Sequence, residues 1–350
     1  MKDPCDTPSP SIAGSPARWH SLAQRVLDGH RLSDQEGLDV LRTADEDLLD
    51  LLAAAYRVRH RWFGNRVHLN FLVNAKSGLC GEDCAYCSQS SHSLATIPRY
   101  PLLDPEQVFD GARLAVQRQA KTYCIVTSGR RPGDSELELL AQVVPRIKSA
   151  FDLAICVSPG LVTPRQAERL KACGVDRVNH NLNTSRRFYP RICTTHAYQD
   201  RLDTLCAVRQ AGLEICSGGI VGLGEEDVDV VELALRLAEL GAEAIPVNFL
   251  IPIPGTPLGA GGRLNPRYCL KVLALFRLAN PACELRIAAG RELHLGPLQP
   301  LGLYPANSIF VGDYLTTPGQ PPDEDYRMIE ALGFVPVLDA VAAPLPPPGP

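Results

Sequence analysis

The amino-acid sequence predicts an α/β fold: a closed parallel barrel of the TIM type, (β/α)8, with an N-terminal helical extension. Three observations carry this reading. Eight short apolar runs alternate with helical patterns at a spacing of about thirty residues, the rhythm of repeated β/α units. Several of the intervening helices open on a capping residue followed by proline or close on glycine, so strand, capped helix and strand follow one another as a parallel sheet requires. A chain of 350 residues that is 45% apolar can bury one large core, which an α/β barrel does within a single domain.

Taken in order, residues 1–16 are rich in Pro and Ser and are expected to be disordered. Residues 17–62, with LLDLLAAAYRVR near their end, read as helices that precede the first strand and cover the bottom of the barrel. The barrel is expected over 63–335. Its strands are VHLNFLV from Val67, TYCIVTS from Thr122, LAICVS from Leu153, RVNHNLN from Arg177, EICSGGIVG from Glu214, AIPVNFLI from Ala244, ELRIAA from Glu284 and NSIFVG from Asn307. Asp104 with Pro105, and Thr163 with Pro164, each form an N-cap with proline at the first helical position. Gly174, Gly212 and Gly241 supply left-handed stops. Residues 336–350, ending AAPLPPPGP, are expected to be a flexible tail, since proline donates no backbone hydrogen bond.

Composition narrows the function. The 35 basic and 39 acidic residues nearly cancel and form no long run of one sign, so no nucleic-acid footprint is present and a small-molecule substrate fits better. No apolar stretch approaches the ~20 residues that span a bilayer, and the N-terminus lacks the apolar core of a signal peptide; no membrane partner and a cytoplasmic location are expected. In a reducing compartment, twelve cysteines point to metal or sulfur chemistry rather than to disulfides.

The densest signal is CGEDCAYC, in which Cys80, Cys84 and Cys87 directly follow the first strand. Three thiolates on one short loop can converge on one soft metal centre. A structural zinc site needs a fourth Cys or His at matching spacing, and His92 in SSHSLA has no paired partner. Three ligands suffice for a four-iron cube with one open iron. The C-terminal ends of barrel strands are also where active sites of such folds lie. Three further cysteines, Cys124, Cys156 and Cys216, fall inside predicted strands. Any one of them is most simply a small core hydrophobe, but together on inward positions they would line a sulfur pocket. Arg286, in the seventh strand, adds a buried cation whose partner is either an anionic cluster or a buried carboxylate.

The CxxxCxxC triplet, with an aromatic residue just before its last Cys, resembles the hallmark of the radical S-adenosylmethionine superfamily. That resemblance implies a 4Fe-4S cluster whose electron cleaves S-adenosylmethionine to a 5′-deoxyadenosyl radical. Over most of residues 50–335 the likeness narrows to the biotin synthase family, through CGEDCAYCSQSS, TYCIVTSGR, VNHNLNTS, RICTTHAYQDRLDTL, EICSGGIVGLGE, IPVNFLIPIPGTPL, RIAAGRE and ANSIFVGDYLTTPG. It implies a 2Fe-2S cluster held by Cys124, Cys156, Cys216 and Arg286, which supplies the sulfur placed into dethiobiotin. It also implies a homodimer and a flavodoxin- or ferredoxin-type electron donor.

The polar residues follow from the same resemblance. Asn179, Asn181 and Asn183 recur with period two, which on a strand places them on one face; a turn rich in Asn is the alternative. Asn179 and Asn248 would meet the ureido group of dethiobiotin, and Asn181 would lie between substrate and cosubstrate. Asn183 would approach the ribose, where some relatives carry aspartate. Arg201 would pair with the cosubstrate carboxylate, or else be an exposed helix charge. Thr316 and Thr317 would bind the substrate carboxylate, and Tyr86 would stack on adenine. No acid-base pair is expected. Cys193, in RICTTH near the barrel mouth, has no assigned role. A mutase or cofactor maturase of the same superfamily, and a non-catalytic iron-sulfur or zinc protein, are the rival readings.

Overall fold

The computed structural model describes residues 16–337, so the expectations for the two chain ends lie almost wholly outside the described residues. Three helices come first: α1 (Pro16–Leu27), α2 (Asp34–Leu41) and α3 (Leu48–Phe63). The barrel follows as β1 (Arg66–Lys76), α4 (Pro105–Gln117), β2 (Thr122–Thr127), α5 (Asp134–Ala150), β3 (Ala154–Ser158), α6 (Pro164–Ala172), β4 (Arg177–Asn179), α7 (Tyr198–Gln210), β5 (Glu214–Cys216), β6 (Gly219–Val221), α8 (Asp227–Glu239), β7 (Ala244–Phe249), α9 (Pro266–Ala279), β8 (Glu284–Ile287) and β9 (Ser308–Phe310). Single-turn helices α10 (Arg291–Leu295) and α11 (Gln299–Gly302) fill the last crossover; α12 (Pro322–Ala331) and β10 (Val335–Pro336) complete the described chain.

The strands are all parallel, in the order β1-β2-β3-β4-β5-β7-β8-β9, and β9 pairs back to β1 through His68 opposite Ser308, which closes the barrel. The capping signals act as read. Asp104 accepts from the Gln107 amide and Thr163 from the Gln166 amide, each in a reciprocal capping box, and Gly174, Gly212 and Gly241 all take positive φ. The run from Glu214 is not one strand. At Gly218 the chain passes so close to β7 that a Cβ would lie 1.9 Å from the Pro246 carbonyl oxygen, and the break there separates β5 from β6. The short β10, which adds beside the start of β1, was not anticipated from the sequence.

The N-terminal helices pack mainly against α8 and α9 on the outside of the barrel. α3 reaches its base: the buried Arg59 guanidinium donates to the carbonyls of Gly64, Arg66 and Ala306, where β1 and β9 begin. Inside, strand alternation stacks polar layers where branched aliphatic side chains usually fill such a barrel. His68, Thr122, Glu284 and Ser308 form a base layer. Cys124, Cys156 and Cys216 pack with Ala244, apart from the main apolar core, and Asn179 and Asn248 come next toward the mouth.

Candidate active site

All of the site residues expected from the sequence except Cys216 line one cavity of about 400 Å³ that opens at the C-terminal ends of the strands. Cys216 lies just behind it, where Asn179 Nδ2 donates to its sulfur at 3.2 Å. The cavity has a triplet of thiols at its mouth, a second group of thiols at its floor and amides between them.

The mouth is formed by the loop after β1. Ser77 bridges Tyr100 and closes the loop, and the Ala85 amide donates to Ile192 O at 2.9 Å. Asp83 accepts from the amides of Thr194 at 3.0 Å and Thr195 at 3.2 Å, so the loop is fastened to the segment before α7. Cys80 and Cys87 are half-buried and Cys84 is buried. Burial pushes the Cys87 thiol up to about 11 and raises Cys80 as well. Cys84 also keeps its proton, because it donates to Cys193 Sγ at 3.7 Å. In the metal-free chain the triplet is therefore protonated at neutral pH, and any metal it binds displaces protons.

The sequence reading passed over the residues around Cys193. Glu82, Cys193 and His196 bring three potential ligand atoms within 4.8 Å of one another. They are joined by hydrogen bonds among themselves and to Arg201. His196 Nδ1 lies against Glu82 and 3.3 Å from Cys193 Sγ, while Nε2 accepts from Arg201 Nη2 at 2.9 Å and lies 2.8 Å from the Tyr189 hydroxyl. A ring whose Nε2 accepts carries its proton on Nδ1, so the histidine donates toward Glu82 and Cys193 and receives Arg201. The signals were present, with Glu82 inside the cysteine motif and His196 three residues after Cys193. Nothing in the spacing shows that the two segments meet.

Arg201 is a buried residue of α7 and not an exposed helix charge. Its Nε donates to Tyr189 Oη at 2.5 Å and its Nη1 to Asn181 O at 2.7 Å. With Nη2 engaged by His196, three of the five N–H groups are used among the described residues, which leaves one on each terminal nitrogen. β4 ends at Asn179, so period-two alternation does not extend to Asn181 and Asn183. Asn183 takes the left-handed region, φ 71°, which asparagine tolerates better than most residues. All three nonetheless line the cavity. Asn183 Nδ2 donates to the Tyr86 hydroxyl at 2.6 Å, and Asn181 Oδ1 accepts from Asn179 Nδ2 at 3.1 Å. Asn248 Nδ2 donates to Gly219 O at 3.0 Å and its Oδ1 accepts from the Ala289 amide at 3.2 Å. Thr316 shares a 2.7 Å hydroxyl contact with Ser88 on the cysteine loop, and the Thr317 carbonyl accepts from the Tyr314 amide.

At the floor, Cys124 and Cys156 are register partners on β2 and β3. Cys156 is held far above the usual thiol range, first by hydrogen bonding to Cys124 and Cys216 and then by burial. Cys216 is drawn down, first by the hydrogen bond from Cys156 and then by the cations Arg286 and Arg177. Arg286 is fully buried, and its protein partner is the buried carboxylate of Glu284, which accepts from Nη2 at 2.6 Å. Of the two partners the sequence left open, the carboxylate is present in the chain itself.

Comparisons with known proteins give the family and the fold. Residues 76–237 match the model of the Radical SAM superfamily, and residues 246–335 match that of the Biotin and Thiamin Synthesis associated domain. A biotin synthase of Rhodopirellula baltica is 54% identical over 333 residues, covering 95% of this chain and 93% of that protein. One from Geobacillus thermodenitrificans is 54% identical over 316 residues, covering 90% and 95%. Among solved structures, methylornithine synthase superposes with a TM-score of 0.78 at 20% identity, covering 90% of this chain and 97% of that one. The FeFe-hydrogenase maturase of Carboxydothermus hydrogenoformans gives 0.76 at 20%, covering 91% and 79%, so both share the fold. With two thiol sets in one barrel cavity and this identity over nearly its whole length, the chain belongs to the biotin synthase family of radical S-adenosylmethionine enzymes.

Proposed function

We propose that the chain converts dethiobiotin to biotin, inserting sulfur between two saturated carbons. One observation carries the reading: the cavity holds two separate groups of thiols, one at the mouth and one at the floor, with amide side chains between them. The donor sets suit iron-sulfur clusters, because both consist of soft sulfur ligands, one on a single loop and the other beside a buried guanidinium. Cys80, Cys84 and Cys87 would hold a 4Fe-4S cluster; Cys124, Cys156, Cys216 and Arg286 would hold a 2Fe-2S cluster. When bound, the first supplies the electron that cleaves S-adenosylmethionine and the second supplies the sulfur.

The chain's own groups bind and orient. The two free N–H groups of Arg201 form a fork suited to a carboxylate, here that of S-adenosylmethionine. Asn183 and Tyr86, hydrogen-bonded to each other, would face the ribose and adenine, and Asn181 would separate the two substrates. Asn179 and Asn248 each retain unused hydrogen-bonding capacity after their internal bonds, which the ureido group of dethiobiotin would take up. Thr316 and Thr317 would receive its carboxylate. The apolar wall residues Leu72, Val126, Ile220 and Phe249 keep water from the space between. The same reading brings a homodimer, a flavodoxin- or ferredoxin-type electron donor and a cytoplasmic setting. Among the described residues no helix is long and apolar enough to cross a membrane.

The test is to replace each cysteine by alanine and follow two products. Cys80→Ala, Cys84→Ala and Cys87→Ala should all lose 5′-deoxyadenosine formation. Cys124→Ala, Cys156→Ala and Cys216→Ala should lose biotin while some cosubstrate cleavage survives. Biotin formation that persists in the last three would refute the assignment of the floor thiols.

A further inference from the structure

Glu284 occupies an inward position on β8 and is buried, in a layer where barrels usually place Val, Ile or Leu. Its carboxylate accepts three hydrogen bonds. Oε1 receives Arg286 Nη2 at 2.6 Å and Ser308 Oγ at 2.8 Å, and Oε2 receives Arg177 Nη1 at 2.8 Å. Ser308 Oγ is in turn approached by Arg286 Nε at 3.3 Å. One edge of the Arg286 guanidinium, Nε and Nη2, is thus held by Ser308 and Glu284, while the Phe310 ring lies 4.9 Å from its central carbon. Nη1 has no hydrogen-bond partner among the described residues, and Arg286 lines the cavity together with Cys124 and Cys156.

The charge balance points the same way. Two guanidiniums, Arg177 and Arg286, converge on one buried carboxylate, and the other anion on Arg177, Glu214, is half exposed. Without Glu284 both arginines would repel each other in a poorly solvated layer, and Arg286 would be free to turn away. With it, Arg286 is fixed and a positive charge remains beside the thiols.

We propose that Glu284 is a positioning residue for the floor site: clamped between Arg177 and Arg286, it holds the Arg286 guanidinium against the thiols of Cys124, Cys156 and Cys216. The proposal rests on the reading of that site as a two-iron cluster site. A residue that merely satisfied the barrel base would lower stability when replaced, but would leave the properties of the cluster unchanged.

The experiment compares anaerobically reconstituted parent, Glu284→Gln, Glu284→Asp, Ser308→Ala, Arg286→Met and the Arg286→Met/Glu284→Gln double variant. It measures iron of each cluster by Mössbauer spectroscopy, the rate at which a ferrous chelator removes the second cluster's iron, and that cluster's midpoint potential. All should retain the iron of the triplet. Glu284→Gln should lose second-cluster iron about tenfold faster, the factor carried by one charge-assisted hydrogen bond. Its potential should move positive, because an anion near the cluster is gone. Glu284→Asp should recover part of both changes, and Ser308→Ala should show a smaller loss of retention. In the Arg286→Met background, Glu284→Gln should add no further loss. Parental release rate and potential in Glu284→Gln, or additive losses in the double variant, would overturn the proposal. If Glu284→Gln does not fold, parental release from Glu284→Asp and Ser308→Ala would do the same. Parental release from Arg286→Met would instead refute Arg286 as part of the site, and the proposal with it.

Discussion

Arg201 shows how much of a side chain's donor capacity is fixed by its own neighbours before any ligand arrives. Tyr189, Asn181 and His196 occupy three of its donors, so among the described residues two N–H groups are left, the pair proposed to meet the cosubstrate carboxylate. Lysine keeps the charge but has no planar fork and cannot satisfy the three internal acceptors. Arg201→Lys should therefore raise the KM for S-adenosylmethionine by roughly ten- to a hundredfold, the loss of one or two charge-assisted hydrogen bonds, with a smaller change in kcat. Initial rates of 5′-deoxyadenosine formation against cosubstrate concentration check this; an unchanged KM would remove Arg201 from the binding site. Arg201 was legible as a candidate because its motif matched the family. Its three internal partners were not, since Tyr189 and His196 belong to a loop whose course the sequence does not indicate.

At the scale of one element, α2 is held by a complete capping box. Ser33 Oγ accepts from the Glu36 amide at 3.3 Å, and the Glu36 carboxylate accepts from the Ser33 amide at 2.9 Å and meets His30 and Arg25. Burial by itself would raise Glu36, but the Ser33 amide, His30 and Arg25 outweigh it and bring the carboxyl down to about 2 from its usual 4.5. A folded-state value below the unfolded one means stability that is present above pH 4.5 and is lost as pH falls toward 2. Ser33→Ala should cost about 1 kcal/mol at pH 7. Glu36→Gln should also destabilise at pH 7, and its difference from the parent should vanish as pH falls through that window. Urea unfolding at several pH values measures both. The sequence marked residues 17–62 as helical, yet it placed them under the barrel. An amphipathic face states that a helix is buried and not against what, and α2 lies largely on the outer layer formed by α8 and α9.

Across the whole molecule, two histidines sit inside the barrel in neutral form. Burial depresses both His68 and His180, with the Arg201 cation adding to the effect at His180. His180 has a ring nitrogen, Nε2, that lacks a hydrogen-bond partner among the described residues. In the unfolded chain each takes a proton near pH 6.5, so the contribution to stability is full above that value and is lost as pH falls below it. The decline should be up to about 1.4 kcal/mol per pH unit for each histidine. His180→Asn should flatten the decline between pH 6.5 and 5 by about that slope for one group. Identical pH dependence in parent and variant would show that His180 is protonated in the folded chain.

Whereas Cys124, Cys156 and Cys216 were grouped by strand placement and resemblance and meet only in the fold, the sequence by itself determined the barrel, its eight staves, several of the helix caps and the cysteine triplet after the first strand. Those features rest on signals confined to a few neighbouring residues: apolar rhythm, proline after a cap, glycine in the left-handed region, and thiols spaced to converge on one loop. Only the tertiary structure decided what the charged interior does. Barrel closure brings Arg177, Glu284, Arg286 and Ser308 into one buried layer, although Arg177 and Glu284 are 107 residues apart in the chain. The loop fastening likewise places Glu82 against His196, at a separation of 114 residues. The break at Gly218 has the same origin, because it depends on how closely the chain passes β7. A buried charge must find its partner in space, and no local pattern names a partner that strand register alone delivers.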